Sequence, residues 1–207
     1  MKPDLIKAIV FWTIFFLPAS AISGESYKFQ RLFTVLQQPW YFNMPRGIAT
    51  DRNGFVYVAD TENHRIQKFS ISGQFVSKWG NKGIHNGQFN SPYSVAVDDK
   101  GFVYVADTLN SRIQKFDSDG KFVAAWSNNT DIFKPSGIAI DNNGFVYVVN
   151  GVNHLIYKFD SNGSFIIRWG DEGKELNVLC GIAIDSIGDV YITDAENHRV
   201  RKFRRIS

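Results

Sequence analysis

The chain has 207 residues, of which 44% are hydrophobic, 21% charged and 15% aromatic, with a formal net charge of +3. That length fits one domain, and the balance of apolar, aromatic and charged residues excludes a disordered tail and a multi-span membrane protein. A single cysteine excludes a disulfide scaffold or cysteine-rich zinc module, and so small a net charge argues against a nucleic-acid partner.

The N-terminus reads as a leader. Lys2 and Lys7 stand against Asp4, then residues 8–17 (AIVFWTIFFL) carry no charge. Pro18 breaks the run, and Ala19-Ser20-Ala21 follows the small-x-small pattern of a secretory cleavage site. Ten helical residues span about 15 Å, half of a bilayer core, so a stable membrane span is not expected. Residues 1–21 are expected to be a signal peptide and 22–207 the folded domain, exported to an extracytoplasmic space. Membrane attachment follows only if the leader stays uncleaved.

The remainder is one unit repeated four times. GIATDRNGFVYVADTENHRIQKF, SVAVDDKGFVYVADTLNSRIQKF, GIAIDNNGFVYVVNGVNHLIYKF and GIAIDSIGDVYITDAENHRVRKF start at residues 47, 94, 137 and 181. A period near 44 residues marks a repeat architecture, with repeats at about 42–83, 89–130, 133–174 and 178–207. In the first copy, residues 48–50 predict a short strand and 51–54 a turn ending in glycine. Residues 55–59, rich in β-branched and aromatic types, predict a second strand. A turn at 60–64 leads to a third strand at 65–69, and Ser72-Gly73 leads to a fourth at 74–79. Four short strands per repeat predict a propeller blade in an all-β protein.

The fourth copy stops after its third strand. Residues 27–35 (YKFQRLFTV) match the fourth-strand pattern, with Phe29 in the place of Phe75 and Phe33 in that of Trp79. They are expected to complete the last blade, which would close the ring and remove open sheet edges.

The segments ADTENHRIQKF (59–69) and DAENHRVRKF (194–203) carry an Asn-His pair, and the linker WGNKGIHNGQFNSP (79–92) joins two copies. On these motifs the chain resembles the NHL-repeat β-propellers, over about residues 42–203. The resemblance implies four NHL-type blades in a family whose members more often have six. It therefore leaves two arrangements open, a monomer and a ring-completing homodimer.

Most repeated residues read as structure. Asp51, Asp98, Asp141 and Asp185 precede glycine by three and suit an Asx turn. Asp60, Asp107 and Asp194 stand five residues before Arg65, Arg112 and Arg199; in the third copy Asn150 and Leu155 replace both. Joint replacement is what a charge pair predicts, because either partner alone at a half-buried turn is costly. Asn63, Asn110, Asn153 and Asn197 are expected to supply a left-handed turn residue. His64, His154 and His198 follow them on three separate blades, too far apart for one zinc ion. Trp79, Trp126 and Trp169 are expected to pack between sheets, each burying on the order of 150–250 Å².

One position varies. Just before the first strands stand Arg46, Tyr93, Ser136 and Cys180, four chemistries at equivalent places. First strands line a propeller's channel, so these side chains, with His64, His154 and His198 on nearby turns, are the expected ligand-binding set at the channel mouth. No nucleophile–base pair and no metal-ligand cluster emerges, and no cofactor is expected. The expectation is a secreted, non-catalytic module that binds a protein, peptide or glycan. The alternative is a propeller enzyme resembling amidating lyases or lactonases. The resemblance to the lyases implies zinc histidines where Arg46, Tyr93, Ser136 and Cys180 stand, and that to the lactonases implies acids along the first strands; neither set is found.

Overall fold

Alternating apolar residues and glycine turns produce fifteen strands in the computed structural model, which describes residues 41–127, 133–170, 179–195 and 197–205. The first sheet comprises β1 (Pro45–Thr50), β2 (Val56–Asp60), β3 (Arg65–Phe69) and β4 (Phe75–Trp79), antiparallel in that order. The second comprises β5 (Pro92–Val97), β6 (Val103–Asp107), β7 (Arg112–Phe116) and β8 (Phe122–Trp126), and the third β9 (Pro135–Ile140), β10 (Val146–Asn150), β11 (Ile156–Phe159) and β12 (Phe165–Trp169). The last has three strands among the described residues, β13 (Leu179–Ile184), β14 (Val190–Asp194) and β15 (Arg199–Phe203). The chain is thus an all-β, four-bladed propeller. The expected closing strand at 27–35 and the expected leader at 1–21 lie outside the described residues.

Consecutive first strands pack side by side: β1 on β5, β5 on β9 and β9 on β13. Among the described residues no interface of that kind joins β13 to β1. Exposure follows: Ile48 of β1 is 66% exposed, whereas Val95 and Ile138 at equivalent places are 3% and 5%. At the other end Val200 is 65% exposed, against 0% for its equivalents Ile66, Ile113 and Ile156.

The core lies between blades. Each tryptophan at the end of a fourth strand meets a tyrosine of its own blade and a phenylalanine of the next. Trp79 stands 6.3 Å from Tyr57 and 5.9 Å from Phe116; Trp126 bridges Tyr104 and Phe159 likewise, and Trp169 bridges Tyr147 and Phe203. Offset and edge-to-face aromatic contacts of this kind add to area burial. A lysine staples the same junctions from outside. Lys68 Nζ donates to the Ser118 carbonyl of the next blade at 2.8 Å, and Lys115 Nζ to that of Ser161 at 2.9 Å. Each lysine also lies over its own blade's phenylalanine, Phe55 at 4.3 Å and Phe102 at 4.2 Å. In the last blade Asp189 replaces that phenylalanine, and Lys202 pairs with it at 2.7 Å.

The first-turn aspartates anchor each blade alone. Asp51 Oδ1 accepts the N–H groups of Asn53 and Phe55, and its Oδ2 accepts the Tyr57 hydroxyl at 3.1 Å. The same three bonds recur at Asp98, Asp141 and Asp185 with Tyr104, Tyr147 and Tyr191.

The second turn differs from the sequence expectation in one respect. The left-handed residue is not asparagine but the one after it: His64, Ser111, His154 and His198 have φ of 51°, 57°, 60° and 51°. Asparagine has another task. Asn63, Asn110 and Asn197 donate their side-chain amides to Asp60, Asp107 and Asp194.

Candidate functional site

The sheet register explains why one position is free to vary. Pro92 pairs with Asp107 and Ser94 with Ala106, so Tyr93 is an extra residue with no partner across the ladder. Ser136 stands likewise between Pro135 and Gly137, which face Asn150 and Val149. The same irregularity falls between Pro45 and Ile48 around Arg46, and between Leu179 and Ile182 around Cys180. A bulge takes its residue out of the in–out alternation and re-aims it, a device common beside functional sites. Close approach of the first strands helps: a Cβ on Gly47 would fall 2.6 Å from the Ser94 Cα.

These bulges open onto a cavity of about 730 Å³ between the inner ends of all four blades. It is lined by Arg46, Tyr93 and Ser136, over a floor that includes Ile48, Val95, Ile138 and Ile182. Leu109 and Val152, from the second turns, close its side. The Arg46 guanidinium carbon sits 4.3 Å from the centre of the Tyr93 ring, a cation–π contact that spans two blades and holds the charge in place. Lys134 is the second cation of the wall, its Nζ 3.1 Å from Ser111 Oγ. Among the described residues no carboxylate lines the cavity. Its hydroxyls are largely committed to the scaffold: Ser136 Oγ donates to the Val149 carbonyl at 3.4 Å, and Thr108 Oγ1 to that of Pro135 at 2.7 Å. Lys134 carried no signal in the repeat, since only the folded register places it here, whereas Leu109 and Val152 stand on second turns that the sequence already marks as part of the binding face.

Three expected members do not reach the cavity. His64 Nδ1 accepts the Ser91 N–H of the next blade at 3.0 Å, which makes it an inter-blade tie. His154 and His198 occupy the left-handed turn position, where their N–H groups bond to Asn150 and Ala195 carbonyls. The backbone of Cys180 stands at the fourth bulge; its side chain lies outside the described residues. Among the described residues no three of His, Cys, Asp or Glu converge to hold a metal ion.

The turn pairs form. Arg65 meets Asp60 at 2.7 Å, and Arg112 meets Asp107 and Arg199 meets Asp194 at 2.8 Å, with every aspartate fully buried. Asp60 also accepts the Asn43 N–H at 2.7 Å and Asp107 that of Asn90 at 2.7 Å, tying each carboxylate to the incoming linker. In the third blade Asn150 Oδ1 accepts the matching N–H, from Lys134, at 3.1 Å. An amide suffices there because Leu155, buried at 2% exposure, brings no charge to neutralise.

The NHL repeat family model matches residues 42–69, 89–116 and 181–203. The comparison with curated protein sequences gave no match. Among solved structures the chain is similar to a streptogramin B lyase, with 16% identity and a TM-score of 0.63 over 77% of this chain and 54% of that one. It is similar to a catalytically inactive variant of virginiamycin B lyase from Staphylococcus aureus with quinupristin, at 15% identity and a TM-score of 0.64, covering 76% and 51%. A protein of unknown function from Bacteroides caccae matches at 19% identity and a TM-score of 0.58, covering 72% and 56%. The chain spans about half the length of these structures, and at such identity the likeness is one of fold.

Proposed function

We propose that the chain, a four-bladed β-propeller carrying NHL-repeat matches, is a secreted, non-catalytic binding module whose cavity at the inner blade ends receives a protein, peptide or glycan segment. One observation carries this reading. Three bulges on an otherwise repeated scaffold bring three different side chains, Arg46, Tyr93 and Ser136, to the rim of one cavity. A volume of about 730 Å³ lies in the range of small-ligand sites, so it suits the tip of a larger partner better than a broad flat contact. Apolar floor and cationic rim together favour a segment with an aliphatic side chain beside a negative charge. Export, read from residues 1–21, puts such a partner outside the cytoplasm.

The test is capture from the extracytoplasmic fraction of the source by wild type and by an Arg46→Ala/Tyr93→Ala variant. Both changes are at exposed or half-exposed side chains, so folding is retained, as thermal unfolding checks. A partner held by wild type and lost by the variant supports the reading; one held equally by both places the contact elsewhere. N-terminal sequencing of the exported protein is expected to begin at Ile22. A second reading, an enzyme acting in the same cavity, takes its support from the two lyases among the structural matches. It predicts turnover of a streptogramin B substrate, which the binding reading does not.

A further inference from the structure

The linkers that lead into the first strands follow one pattern, and the third departs from it. Phe42-Asn43-Met44-Pro45 and Phe89-Asn90-Ser91-Pro92 each place a left-handed residue before the proline, Met44 with φ of 49° and Ser91 with φ of 51°. Phe133-Lys134-Pro135 is one residue shorter. Its Lys134 is the equivalent of Asn90, because their N–H groups bond to the equivalent side chains Asn150 and Asp107. The residue lost is therefore the equivalent of Ser91, whose N–H is the group that His64 accepts across the first junction. At the second junction Ser111 stands in place of that histidine, and Lys134 Nζ donates to its Oγ at 3.1 Å. The two departures meet each other, and together they set a cation in the cavity wall.

Both cations of the cavity keep donors to spare. Among the described residues the Arg46 guanidinium meets only the Tyr93 ring, 4.3 Å away, and a ring face engages its charge but none of its N–H groups. Lys134 spends one of its three donors on Ser111. Glu62, the first blade's equivalent of Leu109, is not part of the lining. The cations come from the first blade and from the linker into the third, so the second blade, with Tyr93 and Leu109, stands between them over the aliphatic floor. A sugar would find few partners here, because the Ser136 and Thr108 hydroxyls are bonded to backbone carbonyls. An aliphatic group with a carboxylate on either side would use the floor and both cations.

We propose that the cavity recognises an acidic–aliphatic peptide segment, in which carboxylates flank an aliphatic residue and Arg46 and Lys134 take one carboxylate each. This rests on the binding reading above and narrows it to one class of partner. The aliphatic side chain covers the floor of Ile48, Val95 and Ile138. Arg46, already oriented by Tyr93, offers its planar fork to one carboxylate, and Lys134, held by Ser111, acts on the other as a point charge. Because only one side chain enters, the peptide backbone stays at the mouth with its polar groups in water. A basic segment meets two like charges and is rejected.

The probe is the blocked peptide acetyl-GDLEG-amide, whose only charges are its two side chains, titrated against the full chain and followed by amide chemical shifts. Saturable shifts at Tyr93, Lys134 and Ser136 are expected. The neutral acetyl-GNLQG-amide and the less apolar acetyl-GDSEG-amide should each bind about fivefold more weakly or worse. Arg46→Gln and Lys134→Gln, at exposed and half-exposed side chains, should each weaken the acidic peptide about fivefold and leave the neutral one unchanged. Arg52→Gln is the control for net charge: it lies in the turn beyond the far end of β1, 72% exposed and paired with Asp99, and should have no effect. No saturable shift at about 5 mM acidic peptide, equal binding of the neutral peptide, or an effect of Arg52→Gln as large as that of Lys134→Gln overturns the proposal. If it falls while a partner is still captured by wild type and lost by Arg46→Ala/Tyr93→Ala, the acidic class alone is wrong. Equal capture by both proteins removes the binding reading as well.

Discussion

Gly120 of the second blade lies flat against the indole of Trp79 in the first, so close that a Cβ would stand 2.6 Å from the ring. The glycine is required twice over, by this contact and by its φ of +84°. Its repeat partner Gly163 meets Trp126 in the same way, at 2.4 Å. The turn glycine of one blade is thus a packing surface for the preceding one, which is how the repeats hold one another.

Gly120→Ala is expected to destabilise by about 3 kcal/mol, the sum of left-handed strain and overpacking. Gly101 is the control: it has the same φ of +84° but nothing within 4 Å of an added Cβ. Gly101→Ala should therefore cost only about 1 kcal/mol. Urea unfolding of the two variants checks the difference, and equal losses would mean that the indole contact contributes nothing.

Arg112→Ala is expected to cost about 1–3 kcal/mol, because Asp107 is left fully buried without its cation. Arg112 also donates to the His85 and Gln88 carbonyls at 2.8 and 2.9 Å, so the linker between blades should loosen as well. A double-mutant cycle with Asp107→Asn should show clear coupling. Strict additivity would contradict the pair.

Tyr57, Tyr104 and Tyr147 are all raised above the usual tyrosine range, by burial first and then by the facing carboxylates Asp51, Asp98 and Asp141. A raised folded-state value means that their contribution to stability is complete below about pH 10, the unfolded value, and is lost above it. Absorbance titration should find these three hydroxyls still protonated when exposed tyrosines have ionised, and releasing their protons together with loss of the fold. Ionisation of all tyrosines near pH 10 in the folded state would refute this.

The Lys202–Asp189 pair sets the opposite limb. Lys202 beside Asp189 holds its carboxyl below the usual range, and Lys202 is itself raised to about 12. A lowered carboxylate contributes stability above about pH 4 that is lost as the pH falls through the folded value. Asp189→Asn is expected to flatten the acid limb of the stability profile and to leave its shape at neutral pH unchanged. An identical acid limb in both proteins would show that the pair does not couple to folding.

Sequence alone determined the repeat. Periodic glycines, β-branched runs and the Asp–Arg spacing are local chemistry copied four times, so the strands, the turn pairs and the variable position at Arg46, Tyr93, Ser136 and Cys180 were legible without coordinates. Tertiary structure decided what lies between copies. Whether a residue sits in the ladder or bulges out depends on the partner strand, so only the register shows Tyr93 and Ser136 standing outside the pairing. Sequence placed His64 with them; the fold turns its Nδ1 onto the Ser91 N–H of the next blade. Lys134 entered the cavity only when neighbouring blades were packed together. A repeat encodes each blade's own hydrogen bonds locally, whereas a cavity is a property of surfaces about 44 residues apart in the chain, which no short-range pattern specifies.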